Sequence, residues 1–240
     1  MWRNAWFIVK VDLKRTRWGL IVSTLMYAYF SVFGSFIVNE LVQDSVKPGS
    51  LHTSFLADIM FLCSLSCIGF FMTGEYRNYW RSDVFSKRLM YMRSLPIGTK
   101  ELVLARYMQM GINLLYLSLI YFVPFYFLCV LGERFTLTEY FSFTIFWLCF
   151  GACMSIVFAY KEMGGSGRSY FLFSMVWVVV YFIASGAAWY GGFGFVLLSV
   201  EWVERFGLLV PLASLLVTIL WLRVWGGMTI NKISRRDYAR

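Results

Sequence analysis

The residues best placed to do chemistry in this 240-residue chain lie in one polar stretch, residues 74–107, which carries Arg77, Arg81, Lys87, Arg88, Arg93, Lys100 and Arg106. Basic side chains at that density can hold an acidic partner or an anionic surface. The apolar residues interleaved with them, Trp80, Val84, Phe85 and Leu89, can pack against one. Elsewhere the inventory is thin. Cys63 and Cys67 share a helical face, as do Cys149 and Cys153, so four thiolates between two helices could formally hold a metal. All four sit in apolar runs, where cysteine usually packs as a small hydrophobe, and no metal is expected. His52 is the only histidine and has no partner histidine. No paired carboxylates, Ser-Lys or Cys-His arrangement has convincing spacing, so no catalytic residue is expected. The glycine-rich run at 161–169 lacks the Gly-Lys-Ser/Thr ending of a nucleotide loop and reads as a flexible connector.

These residues must be positioned by apolar helices. The chain is 60% hydrophobic and 15% charged, against about a quarter charged in soluble domains. An all-α integral membrane protein with six spans is expected, at residues 18–41, 55–73, 104–131, 136–160, 170–190 and 206–228. Residues 1–17 read as an interfacial helix, with Trp2, Ala5, Trp6, Val9 and Leu13 on one face and a basic band of Arg3, Lys10, Lys14 and Arg17. Residues 74–103 form the polar segment between spans two and three. Residues 191–205 fit a short outer or re-entrant helix before span six. In the first span Ser23, Tyr27, Ser31 and Ser35 recur every fourth residue. Such a stripe faces neighbouring helices or, with Asn113 of the third span, lines a path through the membrane.

Charge sets the orientation. Of the 22 Lys and Arg residues, all but Lys47, Arg134 and Arg205 fall on the side that carries both termini and the 74–103 segment. That side is therefore expected to be cytoplasmic. The acids Glu40, Asp44, Asp58, Glu133, Glu139, Glu201 and Glu204 gather at the other side, where they are either indifferent to topology or form a weakly cation-attracting mouth. No span carries a charge at its centre, which disfavours ion-coupled transport. Uphill movement of a substrate would need energy from another subunit.

The run RSLPIGTKELVLARY at residues 93–107 resembles the segment before the third span of ABC-2 type permeases, the membrane subunits of bacterial ABC exporters. Arg93, Pro96 and Glu101 carry the likeness, and Gly98 departs from it where a hydroxyl helix cap is common, leaving Thr99 or Glu101 to cap. The resemblance implies a single permease domain in the bacterial plasma membrane, with a cytoplasmic coupling helix. It implies a separate ATPase subunit, which holds ATP and Mg, and a second permease, identical or homologous. Contacts to the ATPase are then expected from Trp80, Arg81, Val84, Phe85, Lys87, Arg88 and Leu89. The cargo would be hydrophobic or amphipathic: a peptide, an antibiotic or a lipid-like molecule. The alternative is a membrane-embedded sensor or accessory protein that binds a cytoplasmic partner without transport.

Overall fold

The computed structural model describes residues 2–44, 51–72, 83–94 and 97–235. Trp80, Arg81, Pro96 and the side chain of Arg93 lie outside the described residues. Among those described, the chain is helical without strands: α1 (Trp2–Arg15), α2 (Arg17–Asp44), α3 (Leu51–Ser66), α4 (Val84–Ser94), α5 (Thr99–Leu128), α6 (Leu131–Arg134), α7 (Leu137–Gly164), α8 (Gly167–Tyr190), α9 (Phe195–Phe206) and α10 (Leu209–Arg235). Five of them, α2, α5, α7, α8 and α10, are long and apolar enough to cross a membrane, as a multi-pass membrane protein requires.

The centre of the bundle is α3, α5 and α7, and Phe61 marks where they meet. Its fully buried ring stands 5.9 Å from Tyr121, 5.7 Å from Phe125 and 5.0 Å from Trp147. Without a hydrophobic drive between helices in lipid, such van der Waals packing holds them together. Close approach is enabled by Gly151, where an added Cβ would lie 2.8 Å from the Leu65 carbonyl. The outer helix α10 is mostly exposed and apolar, burying only Pro211, Thr229 and Ile233.

Local signals fix most of the ends. Thr136 caps α7 in a reciprocal box, its hydroxyl accepting from the Glu139 N–H at 3.3 Å while the Glu139 carboxylate accepts from the Thr136 N–H at 2.8 Å. This Ser/Thr-x-x-Glu pattern satisfies two orphan donors at once. The expected flexible connector at 161–169 is not one. The helix α7 runs through to Gly164 and α8 begins at Gly167, its N-terminus capped by the Ser166 hydroxyl. A hydroxyl cap directly after the glycine pair makes a tight turn where composition alone suggests slack.

The second apolar run also departs from expectation. Helix α3 stops at Ser66, a turn follows through Gly69, and residues 70–72 are not helical. Sixteen residues of helix span about 24 Å at 1.5 Å per residue, short of about 30 Å of hydrocarbon.

At the opposite end from the termini, α9 lies across α3 and α7. It buries Val196, Ser199, Val200 and Val203 and exposes Glu201, Trp202, Glu204 and Arg205, the one-sided pattern of an interfacial helix. Asp58 reaches its N-terminus, accepting from the backbone N–H of Phe195 and of Val196. The indole N–H of Trp147 donates to Ser199 at 3.1 Å. Several acids expected to ring an outer mouth are thus engaged within the chain: Asp58 is buried against α9, Glu139 caps α7, and Glu204 bonds Arg134 at 2.8 Å.

Candidate functional site

The basic end of the bundle gathers α1, α4, the start of α5, the turn between α7 and α8, and the end of α10. Short as it is, α4 is wedged rather than solvated. Phe85 and Leu89, one turn apart, are both buried. The Phe85 ring meets Tyr170 of α8 edge to face at 5.3 Å. Leu89 packs with Leu102, Val103, Met163 and Ile233, joining α5, α7 and α10. The helix is entered through Asp83, whose backbone takes a positive φ of 42°. Its carboxylate accepts from the Gly167 N–H at 2.8 Å, placing a negative charge on the N-terminus of α8.

Charged pairs tie this wedge to the rest of the chain. Arg88 of α4 is paired with Asp12 of α1. Asn4 of α1 donates to Glu101 of α5 at 3.2 Å. The Asn4 amide and the Gly98 N–H hold the Glu101 carboxyl below the usual glutamate range. Glu101 thereby serves as the backbone acceptor at a helix start that lacks a hydroxyl cap. Beneath α4 sits a cavity of about 50 Å³, bordered by Asp12, Arg88, Gln109 and a buried ion pair, Arg106 with Glu162. Those two side chains retain 11% and 7% of their exposure, so each charge depends on the other. Arg106 also donates to Gln109 at 3.0 Å and its guanidinium covers the Phe70 ring at 5.1 Å.

Phe70 belongs to the interrupted part of the second apolar run, the least expected element of the site. Bare backbone polar groups inside a membrane cost several kcal/mol each, so irregular chain survives there only when protein satisfies it. Here side chains from several helices do so. The Gly69 N–H donates to Ser155 of α7 at 3.2 Å, and the Gly69 carbonyl accepts from the Asn113 amide of α5 at 3.3 Å. The Met72 N–H donates to Ser23 of α2 at 2.8 Å. Just above the break, Tyr27 donates to the Ser64 carbonyl at 2.8 Å. The fit is close: a Cβ at Gly69 would lie 2.6 Å from the Ser155 hydroxyl and 2.8 Å from Met110. Comparison with protein-family models, curated proteins and solved structures returns no match.

The structure therefore divides the expected residues into groups. Of the expected partner contacts, Phe85 and Leu89 point into the bundle, Arg88 is engaged by Asp12, Val84 is half-buried and Lys87 is exposed. Ser23, Tyr27, Ser31 and Ser35 are all buried. Ser31 donates to the Tyr121 carbonyl of α5 at 2.6 Å, whereas Ser35 bonds back to the Val32 carbonyl of its own helix at 2.7 Å, so Ser23, Tyr27 and Ser31 tie α2 to its neighbours and Ser35 does not. The face expected on α1 is split. Ala5 and Val9, with Ile8, pack on α5, whereas Trp2 and Trp6 are exposed beside the basic band. Among the described residues no group of three or more His, Cys, Asp or Glu could hold a metal ion.

Sequence reasoning missed Asp12, Asp83, Glu162 and Ser155. One signal was present. Asp12, Asp83 and Glu162 are acids inside segments otherwise dominated by lysine and arginine, where a lone acid marks an internal partner.

Proposed function

We propose that this chain is the permease subunit of an ATP-driven exporter in a bacterial plasma membrane, with its basic end in the cytoplasm. The reading takes α3 together with the interrupted segment as a sixth crossing. It pairs the chain with an ATPase subunit, which binds ATP and Mg, and with a second permease. The observation that carries it is the two-sided build of α4. Its inner side, Phe85, Arg88 and Leu89, is joined to α8, α1, α5, α7 and α10. Its outer side presents Lys87 and Met90. A helix gripped on one side by most of the bundle and open on the other can pass a partner's movement to the spans. The resemblance of residues 93–107 to ABC-2 permeases adds what that partner is.

Force applied to α4 has two routes inward. One runs through Phe85 and Tyr170 to α8. The other runs through Leu89 to Leu102 of α5, Met163 of α7 and Ile233 of α10. The stripe of Ser23, Tyr27, Ser31 and Ser35 becomes part of a path for a hydrophobic or amphipathic cargo only when α2 moves away from α3 and α5.

The test is purification of the intact chain from its native membrane, followed by ATPase and transport measurements. A stoichiometric ATPase whose hydrolysis depends on this chain is expected. The change Lys87→Glu should lower the coupling of hydrolysis to transport while leaving thermal stability as it was. A non-ATPase partner, or unchanged coupling, would overturn the proposal.

A further inference from the structure

A second basic site lies on the flank of the bundle, away from α4. Between the last turns of α7 and α10 an open cavity of about 530 Å³ is lined by Tyr160, Gly164, Asn231, Lys232 and Arg235. Among the described residues every polar side chain facing it can donate a hydrogen bond, and none is a carboxylate. Among the described residues, neither the Lys232 ammonium nor the Arg235 guanidinium has an acidic partner. On the α7 side of the cavity the one nearby acid among the described residues, Glu162, is turned inward and paired with Arg106. Lysine and arginine in a last helical turn ordinarily offset the dipole of their own helix. That role does not account for the arrangement. The ends of α7 and α10 together supply about one negative charge, against two full positive charges. Lys232 is also drawn sideways: its ammonium sits 4.2 Å from the centre of the Tyr160 ring, and its stem is laid against Gly164. A Cβ at Gly164 would lie 2.6 Å from Lys232 Cδ, so the glycine makes room for that stem.

The surroundings are those of a membrane boundary. The Tyr160 ring meets Trp225 at 4.9 Å, and Trp225 meets Trp221 at 5.7 Å, which continues an aromatic wall up the α7–α10 seam. Aromatic rings beside basic residues at span ends suit the headgroup layer, and basic pockets between spans suit anionic headgroups. We infer that this cavity binds the phosphate of an anionic phospholipid headgroup, held by Lys232 and Arg235 with the Tyr160 hydroxyl and the Asn231 amide as neutral donors. Among the described residues the site offers a choline cation no carboxylate, so it suits an anionic headgroup better than a zwitterionic one. The inference uses only the placement of this end of the bundle at a membrane surface. It stands or falls separately from the exporter reading, because its test involves neither ATP nor transport.

The experiment is native mass spectrometry of the full chain in detergent, titrated with phosphatidylglycerol, with phosphatidylcholine, or with inorganic phosphate. Phosphatidylglycerol should be retained and phosphatidylcholine should not. Removing both charges in Lys232→Gln/Arg235→Gln should weaken phosphatidylglycerol binding roughly thirtyfold, given the usual contribution of a basic residue near an anionic surface. If that variant does not fold, Gly164→Ala, which displaces the Lys232 stem without altering charge, should weaken binding severalfold. Inorganic phosphate binding as tightly as the lipid would identify a soluble phosphate site instead and overturn the lipid assignment. Undiminished phosphatidylglycerol binding in the variants would overturn the site itself.

Discussion

Asp58 and Val196 are 138 residues apart in sequence, yet the carboxylate of the first accepts the backbone N–H of the second at 2.9 Å, and that of Phe195 at 2.8 Å. A helix start has N–H groups without partners, and a charged acceptor supplied from another helix both satisfies them and meets the positive end of the dipole. The position of α9 is therefore set by a side chain of α3. Gly194 completes the joint, since a Cβ there would come 2.0 Å from the Ser54 hydroxyl.

Replacing Asp58 by alanine leaves two buried donors without an acceptor. With charge-assisted bonds worth about 1.5–3 kcal/mol each, a loss of about 3 kcal/mol is expected in thermal or denaturant unfolding in detergent. Asp58→Asn retains one acceptor oxygen and should lose about half as much. Equal stability of the alanine variant and the parent would count against the role given to this carboxylate.

The Arg106–Glu162 pair behaves differently, because both partners are charged and buried. Glu162→Gln strands the guanidinium and should destabilise by about 3–5 kcal/mol. Replacing both by methionine removes the stranded charge and should restore most of that loss. The double variant is then the informative one for function. Wild-type coupling in it would show that the pair is needed for folding alone.

At the interruption of the second apolar run, Asn113→Leu deprives the Gly69 carbonyl of its donor and Ser155→Ala deprives the Gly69 N–H of its acceptor. Each should cost about 1–2 kcal/mol, and the loss should appear locally as faster amide exchange at residues 67–72. Gly69→Ala should do more damage, since its Cβ must displace Ser155 and Met110. Exchange that stays slow in all three would mean that the segment is held by packing and not by these bonds.

The contact of α1 with α5 is expected to depend on acid. Glu101 has its carboxyl lowered in the folded chain by Asn4 first and by the Gly98 N–H. A depressed carboxyl contributes its stabilisation above its ordinary pKa, and that contribution fades as pH falls below this value toward the folded one. Amide exchange across α1 should therefore quicken on acidification below the ordinary value of 4.5. Glu101→Gln should remove that step in the profile.

How far the sequence carries depends on the length scale of the signal. Long apolar runs locate the membrane helices, because hydropathy sums over about twenty residues. Glu101 near Gly98 is visible because a cap is a local pattern. The break after Ser66 is not visible: Ile68, Phe70, Phe71 and Met72 are as apolar as the helix before them, and the side chains that permit it sit at positions 23, 113 and 155. The same holds for Arg106 with Glu162 and Asp58 with Val196, which are relations between helices and not properties of either partner. For the 84–94 segment, polarity locates the element, but which side of it faces inward follows only from the packing of Phe85 and Leu89.

The interrupted segment also bears on how the chain is made. Its backbone is satisfied by one residue already synthesised, Ser23, and by two that follow it, Asn113 and Ser155. During insertion, the second apolar run emerges before those later partners exist, and of the three side-chain bonds that hold Gly69 and Met72 only the one to Ser23 can then form. This part of the fold is therefore completed late, after α7 has entered the membrane. A chain truncated before Ser155 would leave the Gly69 N–H without its acceptor, a fault that quality-control proteases of the membrane are suited to find.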